Sequence, residues 1–183
     1  PRMQETFAAV EVAAITGTPA KFDVIAGQVV EGRLKPAAPV RATLYRADPV
    51  RDLALLKLDR ASANLPYFTL GAAANEGDEC FVVGSQHNGP AWAIRRGTLL
   101  QQFDYPDDLS QVAAGLSSST TRLERNRLTV TVSDTSVSPG DSGGPLLNVK
   151  GELVGVTFAT SANASGGSVG WHVADRPRWL GGV

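Results

Sequence analysis

The sequence predicts an all-β chain, and three observations predict it. Glycine (19) and proline (11) interrupt the 183 residues every few positions. Between them lie short runs rich in Val, Leu, Thr and Phe, and no long stretch carries the 3.6-residue period of an amphipathic helix. About ten short strands of this kind suggest a barrel or a pair of barrels rather than an open sheet.

Taken in order, the strands are expected at Thr6–Val12, Phe22–Val30, Val40–Ala47, Leu53–Leu58 and Glu79–Gly84. The second half adds Ala91–Gln102, Arg127–Ser133, Pro145–Val149, Glu152–Ala159 and Val169–Ala174. Between PLLNV and ELVGVTFA, Lys150–Gly151 forms a short hairpin turn, because glycine takes the positive φ that such turns need. One short helix is expected at Asp175–Leu180, where Asp can cap and Pro can occupy the first turn. Asp104–Glu124 is polar, serine-rich and reads as a long loop, a feature that is usually functional or disordered. Thr160–Ser168 reads as a shorter flexible connection. If the chain has two subdomains, the break falls between Asp59 and Glu76.

Composition narrows the function classes. With 43% hydrophobic residues the chain can bury one sizeable core or two small ones. Seventeen basic and 18 acidic residues nearly cancel, which argues against a nucleic-acid partner. Thirteen arginines against four lysines, scattered along the chain, read as a compositional bias and not as a binding surface. Cys80 has no partner for an internal disulfide, so the fold needs no cystine staple, and its alternation with Phe81 and Val82 marks it as packing. His87 and His172 are the only histidines, too few and too far apart for a clustered zinc site, and no cofactor is implied. No run approaches the roughly 18 apolar residues of a membrane span, and PRMQETF lacks the features of a signal peptide, so no membrane partner is expected.

The chemistry is concentrated in Ser138–Pro145, SPGDSGGP. A serine flanked by glycines on a tight turn between strands presents its hydroxyl, with backbone N–H groups free to face a developing oxyanion. Ser-Gly pairs alone are ordinary turn chemistry. A fixed six-residue string such as GDSGGP arises by chance in on the order of one in 10⁵ chains of this length.

This string resembles the nucleophile segment of trypsin-like (chymotrypsin-fold) serine peptidases, with Ser142 at the serine. Asp48–Leu58, DPVRDLALLKL, resembles the strand carrying the triad aspartate, with Asp52 at that position. Together with SPGDSGGPLLNVKGELVGV these segments are closest to the bacterial HtrA/Deg-like branch. EGDECFVVGS followed by AIRRGTLL is similar to the first strands of the second barrel, and VGWHVA to the last strand before the terminal helix.

The resemblance implies two antiparallel β-barrels, residues 1–65 forming the C-terminal part of the first and 66–183 the second, within one peptidase domain. It implies Ser142 as nucleophile, Asp52 as the group that orients the imidazole, and the N–H groups of Gly140 and Ser142 as the oxyanion hole. It places Ser136 at the floor of the P1 pocket. A serine there cannot pair with Arg or Lys, so small or apolar P1 residues are expected. Phe158, Ala159 and Thr160 offer a strand edge to the substrate backbone, and Gly170 and His172 border the pocket, although His172 reads first as a core residue. In trypsin-like zymogens the acid before the serine pairs with a new amino terminus; Asp141 occupies that position, its alternative being a solvated turn carboxylate.

The family's general base is a histidine upstream of the aspartate, and residues 1–51 contain none. His87 reads as an exposed turn residue and His172 lies in the last strand. A serine without an adjacent base is a poor nucleophile. The expectation is therefore a histidine upstream of Pro1, in the same gene product or in an N-terminal fragment that acts as a partner, with protein or peptide as substrate. The alternatives are a pseudoprotease that binds proteins and a structural barrel adaptor. The sequence leaves the compartment open between cytoplasm and periplasm.

Overall fold

A computed structural model describes residues 21–48, 53–60, 67–72, 74–87, 89–104, 129–161 and 167–172. These residues form eleven strands and no helix. The expected strand Thr6–Val12 and helix Asp175–Leu180 lie outside the described residues, as does most of the loop Asp104–Glu124.

The first strands are β1 (Lys21–Val24), β2 (Gly27–Val30), β3 (Arg33–Pro36), β4 (Val40–Asp48) and β5 (Leu53–Leu58). The single strand expected over Phe22–Val30 is two strands, broken at Ile25–Ala26. β1 pairs with β4, whereas β2 folds back onto β3, a strand the sequence reading omitted. The turn between them is Glu31–Gly32, with φ of 52° and 73°. Two consecutive positive φ values define a tight hairpin whose twist matches that of its strands. β4 also pairs with β5, giving a three-stranded sheet in the order β1-β4-β5.

The remaining strands are β6 (Glu79–Gly84), β7 (Ala93–Asp104), β8 (Thr129–Ser136), β9 (Pro145–Asn148), β10 (Leu153–Ser161) and β11 (Gly167–His172). They close into a six-stranded barrel in the order β10-β11-β8-β7-β6-β9. Closure depends on β9, which pairs with β6 on one side and β10 on the other. β7 starts two residues later than expected because Trp92 takes φ 56°, which no strand residue can adopt. Gly167 and Ser168, read as loop, begin β11, and β10 runs on to Ser161.

Along β6 the burial alternates: Cys80, Val82 and Gly84 are buried, while Glu79, Phe81 and Val83 are half-buried. This two-residue period is the signature of a strand with one face in a core. Cys80 and Val82 join Ala74, Leu99, Val137, Leu146 and Val154 in the barrel's apolar centre. A polar seam adjoins it. Ser133 and Ser168 hydroxyls meet at 2.6 Å, Ser133 Oγ donates to Thr135 Oγ1 at 2.9 Å, and Cys80 Sγ lies 3.7 Å from Thr135 Oγ1. Hydroxyls that satisfy one another can be buried at small net cost.

Candidate active site

Residues Val137–Gly144 connect β8 to β9 and carry the SPGDSGGP string. The turn is built from short-range bonds: Asp141 N–H donates to Ser138 O at 3.0 Å, and Gly144 N–H to Asp141 O at 2.9 Å. Asp141 also accepts the Ser138 N–H on Oδ2 at 2.8 Å, so its side chain staples the loop from below. Gly140 has φ 100°. A Cβ there would stand 2.6 Å from Ser85 O and 2.8 Å from His87 N, so the neighbouring 85–87 turn packs against bare backbone. That contact is fixed by His87 N–H donating to Pro139 O at 3.0 Å.

Two further bonds pin the loop to β10. Gly143 N–H donates to Thr157 O at 2.7 Å, and Thr157 N–H donates to Gly144 O at 2.9 Å. Ser142 lies between these two anchor systems and is half-buried. Among the described residues, the N–H groups of Gly140 and Ser142 have no hydrogen-bond acceptor. They are the donors that such a loop can aim at an oxyanion.

Residues 49–52, Asp52 among them, lie outside the described residues, and β5 begins directly after them at Leu53. His87 is exposed, and its recorded contact is through its backbone. Ser136 ends β8, is exposed and pairs with Gly167. Gly170 sits in β11 between Thr157 of β10 and Thr131 of β8. His172 pairs in register with Gly155. Phe158 falls at a bulge in the β10–β11 ladder, while Ala159, Thr160 and Ser161 pair with β11 on one side. No described strand pairs with the other side of those three residues.

The sequence reading missed Arg95 and Gln86. In the sequence Arg95 is one of many scattered arginines, and Asp141 is open to an amino-terminal partner or to water. Instead Asp141 is 1% exposed, with Arg95 Nη2 at 2.7 Å from its Oδ1 and Gln86 Nε2 at 3.3 Å from its Oδ2. No local pattern announces a pair separated by this much chain. Among the described residues, no group of three His, Cys, Asp or Glu side chains is placed to hold a metal ion.

A profile of the trypsin-like peptidase domain matches residues 10–156, most of the chain. The chain belongs to the trypsin-like peptidase domain family. Relatives of this trypsin-like domain include HhoA of Synechocystis, named a serine protease, which is 32% identical over 145 residues. That match covers 75% of this chain and 34% of HhoA. A periplasmic serine endoprotease of DegP-like type from Pseudomonas putida F1 is 34% identical, the match covering 78% of this chain and 26% of the relative. The chain thus spans about a third or less of the length of these relatives. Among solved structures, the Rv3671c protease of M. tuberculosis in its active form superposes with a TM-score of 0.59 at 20% identity, covering 81% of this chain and 59% of that one. The HtrA-type protease AlgW carrying a Ser→Ala substitution, with a decapeptide, gives 0.54 at 27% identity over 78% and 38% of the two chains. The described residues are all-β, consistent with a chymotrypsin-like fold.

Proposed function

We propose that the chain is the catalytic domain of a serine endopeptidase in which Ser142 is the nucleophile and Asp52 orients the general base. The observation that carries this reading is the SPGDSGGP turn itself, held by bonds from three directions while the Gly140 and Ser142 N–H groups stay unengaged among the described residues. In the reaction Ser142 Oγ attacks the scissile carbonyl as its proton passes to a histidine. The carbonyl oxygen becomes an oxyanion facing the two N–H donors. Collapse expels the amine, which takes the proton from the imidazolium, and water then releases the acyl group by the reverse sequence. Each donor is worth roughly 3 kcal/mol of transition-state stabilisation.

The base in this reading is a histidine on the N-terminal side of Asp52 that these 183 residues do not supply, either upstream of Pro1 or on a docked N-terminal fragment. Residues 1–65 then belong to the first of two barrels and 66–183 to the second. The substrate is a protein or peptide whose backbone pairs with the strand edge at Phe158–Thr160. Ser136, with Gly170 and His172 near the pocket, favours small or apolar P1 residues over Arg and Lys.

A fluorophosphonate probe tests the reading, because it labels only an activated serine. The full-length gene product should be labelled at Ser142, and Ser142→Ala should remove the label. A full-length product that folds and stays unlabelled moves the assignment to a pseudoprotease that binds proteins.

A further inference from the structure

Arg95 stands where an arginine is costly. In the β6–β7 ladder it pairs with Val82, and Gly84 pairs with Ala93. Directly paired residues share a face, so Arg95 lies on the same side as Val82 and Gly84, the face that β6 turns into the barrel. Its neighbours Ile94 and Arg96 are exposed, and Arg96 makes a surface pair with Glu79 at 2.7 Å. Arg95 is 19% exposed and reaches the end of the barrel under the nucleophile loop, where Asp141 is 1% exposed.

The space for this pair comes from Gly84. A Cβ at that position would collide with Asp141 Oδ1 and stand 2.7 Å from Arg95 Nη2. Asp141 Oδ2 is supplied by Ser138 N–H and Gln86 Nε2. Among the described residues, Oδ1 faces Arg95 alone. The 2.7 Å contact is not along a guanidinium N–H direction, so it is a charge contact and not an aligned hydrogen bond. A carboxylate this buried needs a counter-charge, because an unpaired one is expelled towards water or neutralised.

We infer that Arg95 is the fixed counter-ion of the nucleophile loop, a positioning residue that acts through Asp141 to hold the Gly140 and Ser142 N–H groups in place. Asp141 lies between those two donors in the chain, so a turn of its backbone that takes the carboxylate to solvent carries both of them with it. The counter-ion belongs to the barrel wall, and the loop needs no newly cut amino terminus to be ordered. The consequence for catalysis rests on the proteolytic reading above; the effect on the loop does not.

Hydrogen exchange resolved to single amides separates the two. In Arg95→Met the amides of Asp141, Gly143 and Gly144 should exchange roughly tenfold or more faster, while Val82 and Leu146 in the barrel strands change little. Arg95→Lys should restore part of the protection. Because the effect runs through Asp141, it should vanish or reverse in an Asp141→Asn background, where Arg95 is itself the unpaired charge. Unchanged loop exchange in Arg95→Met, equal loosening of loop and barrel, or the same loosening with Asn at 141 would each overturn the inference. Should Arg95→Met not fold, the Arg95→Met/Asp141→Asn protein decides: recovered folding supports the pairing and continued failure rejects it. Fluorophosphonate labelling of the full-length wild type in parallel reports on the proteolytic reading alone.

Discussion

Thr157 and Gly143 join the two halves of the candidate site: the Thr157 carbonyl accepts the Gly143 N–H at 2.7 Å, one residue after the serine. The next residues of β10 are those proposed to pair with a substrate backbone. The proposed substrate strand and the proposed nucleophile are therefore referenced to one backbone position, so that their spacing depends on two hydrogen bonds and not on flexible side chains.

Gly140→Ala should harm chemistry more than folding. Its φ of 100° and the approach of Ser85 O at 2.6 Å to a new Cβ force the turn to shift, at a stability cost of about 1–3 kcal/mol. Displacing an oxyanion donor should slow labelling of Ser142 about 10²–10³-fold. Thermal unfolding and probe kinetics on the full-length product check the two effects separately.

Leu99→Ala should destabilise the barrel by about 2–5 kcal/mol, because the side chain is fully buried among Val82, Leu146 and Val154 and its removal leaves a cavity. Urea titration reads this directly. A loss below about 1 kcal/mol would mean that the site collapses on itself and that the barrel centre is loosely packed.

Cys80 predicts an alkaline loss of stability. Burial pushes its thiol above the ordinary value of 9.0, against smaller opposing contributions from the Thr135 and Ser133 hydroxyls. The unfolded chain gives up this proton at lower pH than the folded one. The stabilisation is therefore complete below the ordinary thiol value and declines as the pH rises from there towards the raised folded value. Denaturation midpoints measured from pH 7 to 10 should fall more steeply for the wild type than for Cys80→Ala.

Glu31→Asn should stabilise the β2–β3 hairpin. Glu31 is held at φ 52°, a left-handed conformation that asparagine tolerates better. The gain should be a few tenths to about 1 kcal/mol, seen as slower exchange of the hairpin amides.

Strands whose alternation and bounding residues agree were legible in the sequence: Leu53–Leu58 and Glu79–Gly84 are observed with the expected ends. The β2–β3 hairpin was not, because Glu-Gly is a weaker turn signal than Asn-Gly and RLKP reads as polar. Nor was the start of β7, since nothing in PAWAI reveals that Trp92 takes a left-handed conformation. The turn that carries SPGDSGGP was legible because glycine placement is a local requirement. Its ionic support was not, because Arg95 and Asp141 meet only after the barrel has closed. Asp52 lies outside the described residues, so its proposed role rests on sequence resemblance.

The shortness of β9 has a consequence for how the protein fails. These four residues begin three positions after Ser142, and they alone join β6 to β10 and complete the ring. Peeling β9 away opens the cylinder and withdraws the serine in one event. Inactivation by heat should therefore track loss of the fold itself, with no intact but idle barrel accumulating beforehand.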